Sequence, residues 1–101
     1  MSEMTGPEEA PAALRARIHG RVQGVGFRWF VQERGRQLGL SGFVRNREDG
    51  TVETEAHGSR PALETFLGAL RHGPPGANVT EVDVWWAQVK TGLSSEFEIR
   101  P

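Results

Sequence analysis

A change of hydrophobic period between Leu14 and Leu38 constrains the fold of this chain more than any other feature. Apolar and polar residues alternate from Leu14 to Val22, which is typical of a strand with one buried face. From Phe27 to Leu38 the apolar residues instead follow one face of a helix, and Gly39 is placed to end that helix. The sequence therefore predicts a strand, a tight connection and a helix in direct succession.

The connection between these two elements has the features of an anion site. Gly24 and Gly26 permit a tight turn with inward-facing N–H groups, and the helix start adds unpaired N–H groups with partial positive charge. Arg28 falls in the first helical turn, where the dipole disfavours a cation unless an anion is bound nearby. We therefore predict a phosphate-sized site, with a plain strand-to-helix turn as the alternative. The assigned residues are Gln23, Gly24, Val25, Gly26, Phe27 and Arg28.

Known nucleotide motifs do not explain this connection. Trp29 stands where a dinucleotide fingerprint has its third glycine, and the Lys-Ser/Thr pair of a P-loop is missing. The anion site is therefore predicted to differ from both nucleotide-binding loops.

The rest of the sequence completes a βαββαβ pattern with a short terminal strand. Asp49-Gly50 is a strong hairpin signal between the second and third strands, and Ser59 can cap a second helix. This order predicts an α+β, ferredoxin-like α/β sandwich, in which two helices cover one face of an antiparallel sheet. The remaining elements are predicted at 42–46, 51–56, 60–72, 79–86 and 97–99.

Composition limits the classes of function. The 101 residues suit one domain, expected at 13–101, after an acidic, disordered tail at 1–12. A net charge of −1 gives no general attraction to nucleic acid or an anionic membrane, and no apolar stretch approaches a membrane span. The chain has no cysteine, and His19, His57 and His72 are scattered, so we expect no metal site. We expect a cytoplasmic monomer.

Several single residues have more than one interpretation. Asn46 ends the second strand, where it either forms the turn or orients a water molecule or a substrate oxygen. Glu53 and Glu55 alternate with apolar residues, which predicts a solvated strand face rather than acid–base chemistry. Gly35 interrupts the first helix, and close packing on the sheet would explain it. We expect the adjacent Trp85 and Trp86 to face opposite sides of their strand.

Two segments closely resemble the signatures of the acylphosphatases. They are residues 20–28 (GRVQGVGFR) and 42–53 (GFVRNREDGTVE), and residues 38–40 and 72–77 are also similar to that family. The likeness extends from about Leu14 to the C-terminus. Phe43, where the family often has Trp, and Gly35, where it often has Ala, are mild departures.

The resemblance implies a hydrolase that splits the carboxyl–phosphate bond of acyl phosphates into a carboxylate and inorganic phosphate. By position, Arg28 and the backbone of residues 23–28 would bind the phosphate, and Asn46 would orient the attacking water. The family needs neither a metal nor an organic cofactor, and the substrate itself can take the proton of the water.

Two other functions share this predicted topology. One is a carrier-type module that binds an anion such as carbamoyl phosphate without turnover. The other is an RNA-binding module, but such modules stack bases on aromatic residues of the central strands, and Thr51–Ala56 contains none.

Overall fold

The order of helices and strands agrees with the sequence prediction. The computed structural model describes residues 11–88 and 96–101. The elements are β1 (Pro11–Arg21), α1 (Phe27–Gln37), β2 (Ser41–Asn46), β3 (Val52–Ser59), α2 (Arg60–His72), β4 (Asn78–Gln88) and β5 (Phe97–Arg100). β1 begins two residues before the expected domain start at 13, and residues 1–10 of the expected tail lie outside the described part.

The five strands form one sheet in the order β4-β1-β3-β2-β5. β1 pairs antiparallel with β3 and β4, and β2 pairs antiparallel with β3, so the predicted ferredoxin-like arrangement is confirmed. β5 departs from a wholly antiparallel sheet, because it pairs parallel to β2, with Val44 opposite Ile99. A fully alternating sheet in this strand order would make the two edge strands, β4 and β5, parallel to each other, whereas here they run antiparallel.

The core lies between the sheet and the two helices. Alternate residues of β1 point into it, and Leu14, Ala16 and Ile18 are fully buried. The predicted cap of α2 is confirmed, because Ser59 Oγ accepts a hydrogen bond from the N–H of Ala62 at 3.2 Å. The buried face of α2 is the predicted stripe of Leu63, Phe66, Leu67 and Leu70. Neither of the helices in the described residues has the length and apolar character to cross a membrane.

α1 packs against β5 at a glycine. Gly35 is buried, and a Cβ atom at this position would overlap the ring of Phe97. Phe97 also packs against Phe66 of α2, with the two ring centroids 5.8 Å apart. Close packing on the sheet, the explanation offered for a glycine inside this helix, is therefore confirmed.

The sheet face without helices carries an arginine cluster around Glu53. Glu53 is 5% exposed, so the prediction of a solvated side chain is wrong. Its Oε1 accepts hydrogen bonds from Arg45 Nε at 2.7 Å and Arg47 Nη1 at 3.0 Å. Arg15 Nε lies 3.6 Å from Oε2. Alternation indicated the correct face, but these three guanidinium groups cover the carboxylate and exclude water from it.

The two adjacent tryptophans face opposite sides of β4, as predicted. Trp85 is 51% exposed on the helix-free face, whereas Trp86 packs against the core. The guanidinium carbon of Arg60 lies 3.5 Å from the centroid of the Trp86 ring and covers it.

Replacing Gly35 with alanine should destabilise the protein. The added methyl group would overlap Phe97, and we expect this overpacking to lower the free energy of unfolding by about 1–3 kcal/mol. Gly68→Ala in α2 is the matched control, because nothing lies within 4 Å of its added Cβ. That variant should gain up to about 1 kcal/mol from helix propensity. Urea unfolding of both variants tests this, and a Gly35→Ala protein as stable as wild type would contradict it.

Glu53 should make the stability depend on acid pH. Burial raises the pKa of Glu53, but hydrogen bonds and charges from Arg45 and Arg47 outweigh burial and hold it below the ordinary value of 4.5. The carboxylate therefore stabilises the fold fully above pH 4.5, and this contribution is lost as the pH falls through the lower pKa of the folded state.

We expect Glu53→Gln to lose about 1.5–3 kcal/mol at neutral pH and to lose less stability than wild type on acidification. Glu55→Gln is the control, because Glu55 is half-buried and forms a more exposed pair with His57. Urea unfolding across the acid range measures both effects. Equal acid sensitivity of Glu53→Gln and wild type would exclude Glu53 as the source.

Candidate active site

The connection between β1 and α1, here called the glycine loop (residues 22–26), turns through two left-handed glycines. Gly24 and Gly26 both have a φ of 77°, and Gly26 is the N-cap of α1. A Cβ atom on either residue would meet nothing within 4 Å, so backbone conformation rather than lack of space requires glycine here. Buried Val22 and Phe27 fix the two ends of the loop in the core.

The glycine loop is tied to the hairpin between β2 and β3 by one side chain. Gln23 Nε2 donates hydrogen bonds to the carbonyl oxygens of Arg47 at 2.8 Å and Thr51 at 2.9 Å. The side-chain donors of Gln23 are thus used by the protein. What this residue can offer an anion is its backbone N–H.

The start of α1 presents unpaired donors beside the loop. The first helical hydrogen bond runs from the N–H of Phe30 to the carbonyl of Gly26 at 3.0 Å, so the N–H groups of residues 27–29 precede it. The first turn contains no acidic residue, and no side chain among the described residues caps it. This end of the helix is therefore electropositive and open to an anion.

Arg28 adds a full positive charge to this end. It is half-buried, and its Nη1 lies 3.5 Å from the carbonyl oxygen of Arg100, at the long limit of a hydrogen bond. Within residues 11–88 and 96–101, no carboxylate lies within ion-pair distance of Arg28. The guanidinium group is therefore available for an anionic ligand.

Asn46 is the last residue of β2 and lies in the same cleft as Arg28. Its side-chain amide makes no hydrogen bond within the described part of the chain, so it can bind a water molecule or a substrate. The shared cleft, here called the loop cleft, has a volume of about 210 Å³. Its lining residues are Val22, Gly24, Gly26, Phe27, Arg28, Trp29, Asn46 and Ile99.

The structure thus brings most of the predicted site residues together. Gly24, Gly26, Phe27, Arg28 and Asn46 line the loop cleft, whereas Gln23 and Val25 do not. Three further lining residues were not assigned to a site by the sequence analysis, namely Val22, Trp29 and Ile99.

The acidic residues considered for acid–base chemistry do not line the loop cleft. Asp49 is the predicted turn residue, since its Oδ1 accepts hydrogen bonds from Thr51 Oγ1 at 2.6 Å and Thr51 N at 3.0 Å. The hydrogen bond from the Thr51 side chain has the larger effect and the one from the Thr51 N–H the smaller, and both lower the pKa of Asp49. The carboxylate of Glu53 is already paired with Arg45, Arg47 and Arg15. The cleft therefore offers the Arg28 guanidinium group, the Asn46 amide and backbone N–H groups for binding and positioning.

Three potential metal ligands meet away from the loop cleft. The ligating atoms of His19, Glu81 and Asp83 lie within 4.8 Å of one another on the β1–β4 pair, which the spacing of the histidines did not indicate. Two of the three already contact each other, since His19 Nε2 lies 2.8 Å from Asp83 Oδ2.

Comparison with known proteins agrees with this geometry. The family model for acylphosphatase matches residues 14–99. An acylphosphatase of Mycolicibacterium smegmatis is 48% identical over 92 residues, which cover 88% of this chain and 94% of that protein. The crystal structure of acylphosphatase from Bacillus subtilis superposes with a TM-score of 0.85 and 40% identity, covering 89% of this chain and 99% of that one.

A larger protein contains the same architecture. The crystal structure of full-length HypF, in a phosphate- and nucleotide-bound form, matches 95% of this chain with a TM-score of 0.78 and 28% identity, but the match covers 12% of HypF. The acylphosphatases of M. smegmatis and B. subtilis, in contrast, are covered over 94% and 99% of their own length. The match of the family model and of these relatives shows that this chain belongs to the acylphosphatase family.

Proposed function

We propose that this protein hydrolyses acyl phosphates to a carboxylate and inorganic phosphate. The observation that carries the proposal is the meeting of Arg28, the open start of α1 and Asn46 in one cleft of about 210 Å³. Membership of the acylphosphatase family supports the same reaction.

The phosphate group binds first at the glycine loop. Backbone N–H groups of residues 23–28 donate to its oxygens, and Arg28 supplies a bidentate guanidinium group. These donors are fixed by Gln23 and by the helix, so little reorganisation is needed when negative charge spreads over the phosphoryl oxygens. Binding and charge stabilisation are the main demands of phosphoryl transfer.

Asn46 positions the attacking water. The water oxygen forms a bond to phosphorus while the bond from phosphorus to the acyl oxygen breaks, and the carboxylate leaves with the electron pair. One proton of the water passes to a phosphate oxygen, so the products are the carboxylate and dihydrogen phosphate. The carboxylate is a stable leaving group that needs no protonation, which fits a cleft without a carboxylic acid.

The competing function is binding of an anion without turnover, and the likeness to HypF, whose structure is in a phosphate- and nucleotide-bound form, supports the anion-binding part of it. A carrier-type module would be stabilised by phosphate but would not hydrolyse an acyl phosphate. Turnover of a simple acyl phosphate by the wild-type protein therefore decides between the two functions.

We further propose that the enzyme acts as a monomer in the cytoplasm. The loop cleft already combines an open helix start, a cation and an amide, which supports a site that needs no second subunit. The chain also has no cysteine that could form a disulfide in an oxidising compartment.

Arg28→Ala should weaken both phosphate binding and catalysis. Loss of the guanidinium group should reduce kcat/KM for acetyl phosphate by the equivalent of about 2–5 kcal/mol. Inorganic phosphate at 100 times its Kd should stabilise the wild type by about 2.7 kcal/mol, and the variant should lose most of this protection. Arg36→Ala, in the last turn of the same helix, is the control.

These assays are run in a chelator, with folding checked by circular dichroism. Near-normal turnover by a folded Arg28→Ala protein would contradict the assignment of Arg28 to the site. A wild-type protein that is protected by phosphate but does not turn over acetyl phosphate would support the carrier function instead.

Asn46→Ala should separate catalysis from binding. Loss of the orienting amide should lower kcat by a factor of about 10²–10³, by analogy with the loss of one preorganised donor. Competitive inhibition by phosphate should change little, because Arg28 and the glycine loop remain. Steady-state kinetics with acetyl phosphate measure both quantities, and Asn78→Ala at the start of β4 is the control. Parallel loss of turnover and phosphate inhibition would instead assign Asn46 to phosphate binding.

A further inference from the structure

Exposed apolar side chains are concentrated at the loop cleft. In the described part of the chain, the large apolar residues with high exposure are Trp29 at 63%, Trp85 at 51% and Ile99 at 39%. Trp29 and Ile99 line the cleft that holds Arg28 and Asn46, whereas Trp85 lies on the helix-free face of the sheet. The cleft therefore combines a polar, cationic part with an apolar part.

Rigid elements hold both apolar residues in place. Trp29 follows Arg28 in the first turn of α1, and Ile99 lies on β5 opposite Val44, two residues before the end of β2 at Asn46. Gly35 and Phe97 join α1 directly to β5. The backbone positions that carry the two apolar side chains are therefore fixed relative to each other and to Arg28 and Asn46.

The ring of Trp29 is free to contact a ligand, unlike other aromatic rings of this protein. Guanidinium groups cover Phe30, Phe43 and Trp86, at 5.5, 4.1 and 3.5 Å from the ring centroids. Within residues 11–88 and 96–101, no such group covers Trp29, although Arg28 is its neighbour. An exposed indole beside a binding cleft gains stability when an apolar ligand covers it.

We propose that Trp29 and Ile99 bind the acyl group of the substrate, and that the enzyme prefers acyl phosphates with aromatic or branched apolar acyl groups. This inference rests on the proposed hydrolysis, because it assigns the phosphate end of the substrate to the glycine loop. The acyl end is joined to the phosphate by one oxygen, so in a cleft of about 210 Å³ it lies within reach of both side chains. An acetyl group is too small to cover an indole ring, whereas a phenyl ring can stack on it.

The test compares benzoyl phosphate with acetyl phosphate. For each protein, kcat/KM is measured for both substrates, and their ratio is compared between variants, which cancels the intrinsic difference in reactivity. We expect Trp29→Ala to lower the benzoyl-to-acetyl ratio by about tenfold, and Ile99→Ala by about threefold. Trp29→Phe should keep most of the ratio, because the ring remains. Trp85→Ala should leave the kinetics of both substrates unchanged.

The outcomes separate this inference from the proposed function. A selective fall of the ratio in Trp29→Ala and Ile99→Ala, with a normal ratio in Trp85→Ala, supports the acyl-binding assignment. If the ratio is unchanged in both cleft variants while the wild-type protein hydrolyses acetyl phosphate, the acyl-binding assignment is wrong. The proposed hydrolase activity is then still supported. A wild-type protein that hydrolyses neither substrate overturns both.

Discussion

The two hydrogen bonds of the Gln23 side chain join the parts of the protein that must meet at the loop cleft. A primary amide has two N–H donors, and both go to carbonyl oxygens of the β2–β3 hairpin, those of Arg47 and Thr51. Any shift of the loop relative to the hairpin would leave these half-buried groups without partners. Because Asn46 directly precedes Arg47, the Gln23 amide sets the distance between the loop proposed to bind phosphate and the residue proposed to orient the water.

The local parts of the fold could be predicted from the sequence because each depends on a few neighbouring residues. Alternation in β1, the apolar stripe of α2 and the cap at Ser59 are all short-range signals, and the structure confirms them. The position of Arg28 at a helix start behind two glycines belongs to the same class. Periodicity did not predict that Arg28 and Asn46 share one site. That prediction came from the resemblance of two separate segments to one family.

The features that the sequence did not reveal depend on contacts between distant strands. Glu53 was expected in solvent, but it is buried because the strand register places Arg45 of β2 directly opposite it and Arg15 of β1 diagonally across from it. The parallel direction of β5 and the apolar part of the loop cleft have the same origin, since Ile99 reaches the cleft through its pairing with β2. Periodicity assigns a side chain to a face, but it does not identify the neighbours on that face.

The packing of α1 against β5 determines when the cleft can be completed during synthesis. The glycine loop and α1 are translated early, yet the strand that supports α1 through Phe97 and supplies Ile99 to the cleft is the last element of the described chain. While these residues are still inside the ribosome, the cleft lacks the wall that Ile99 provides. The complete site therefore arises only after translation has delivered β5.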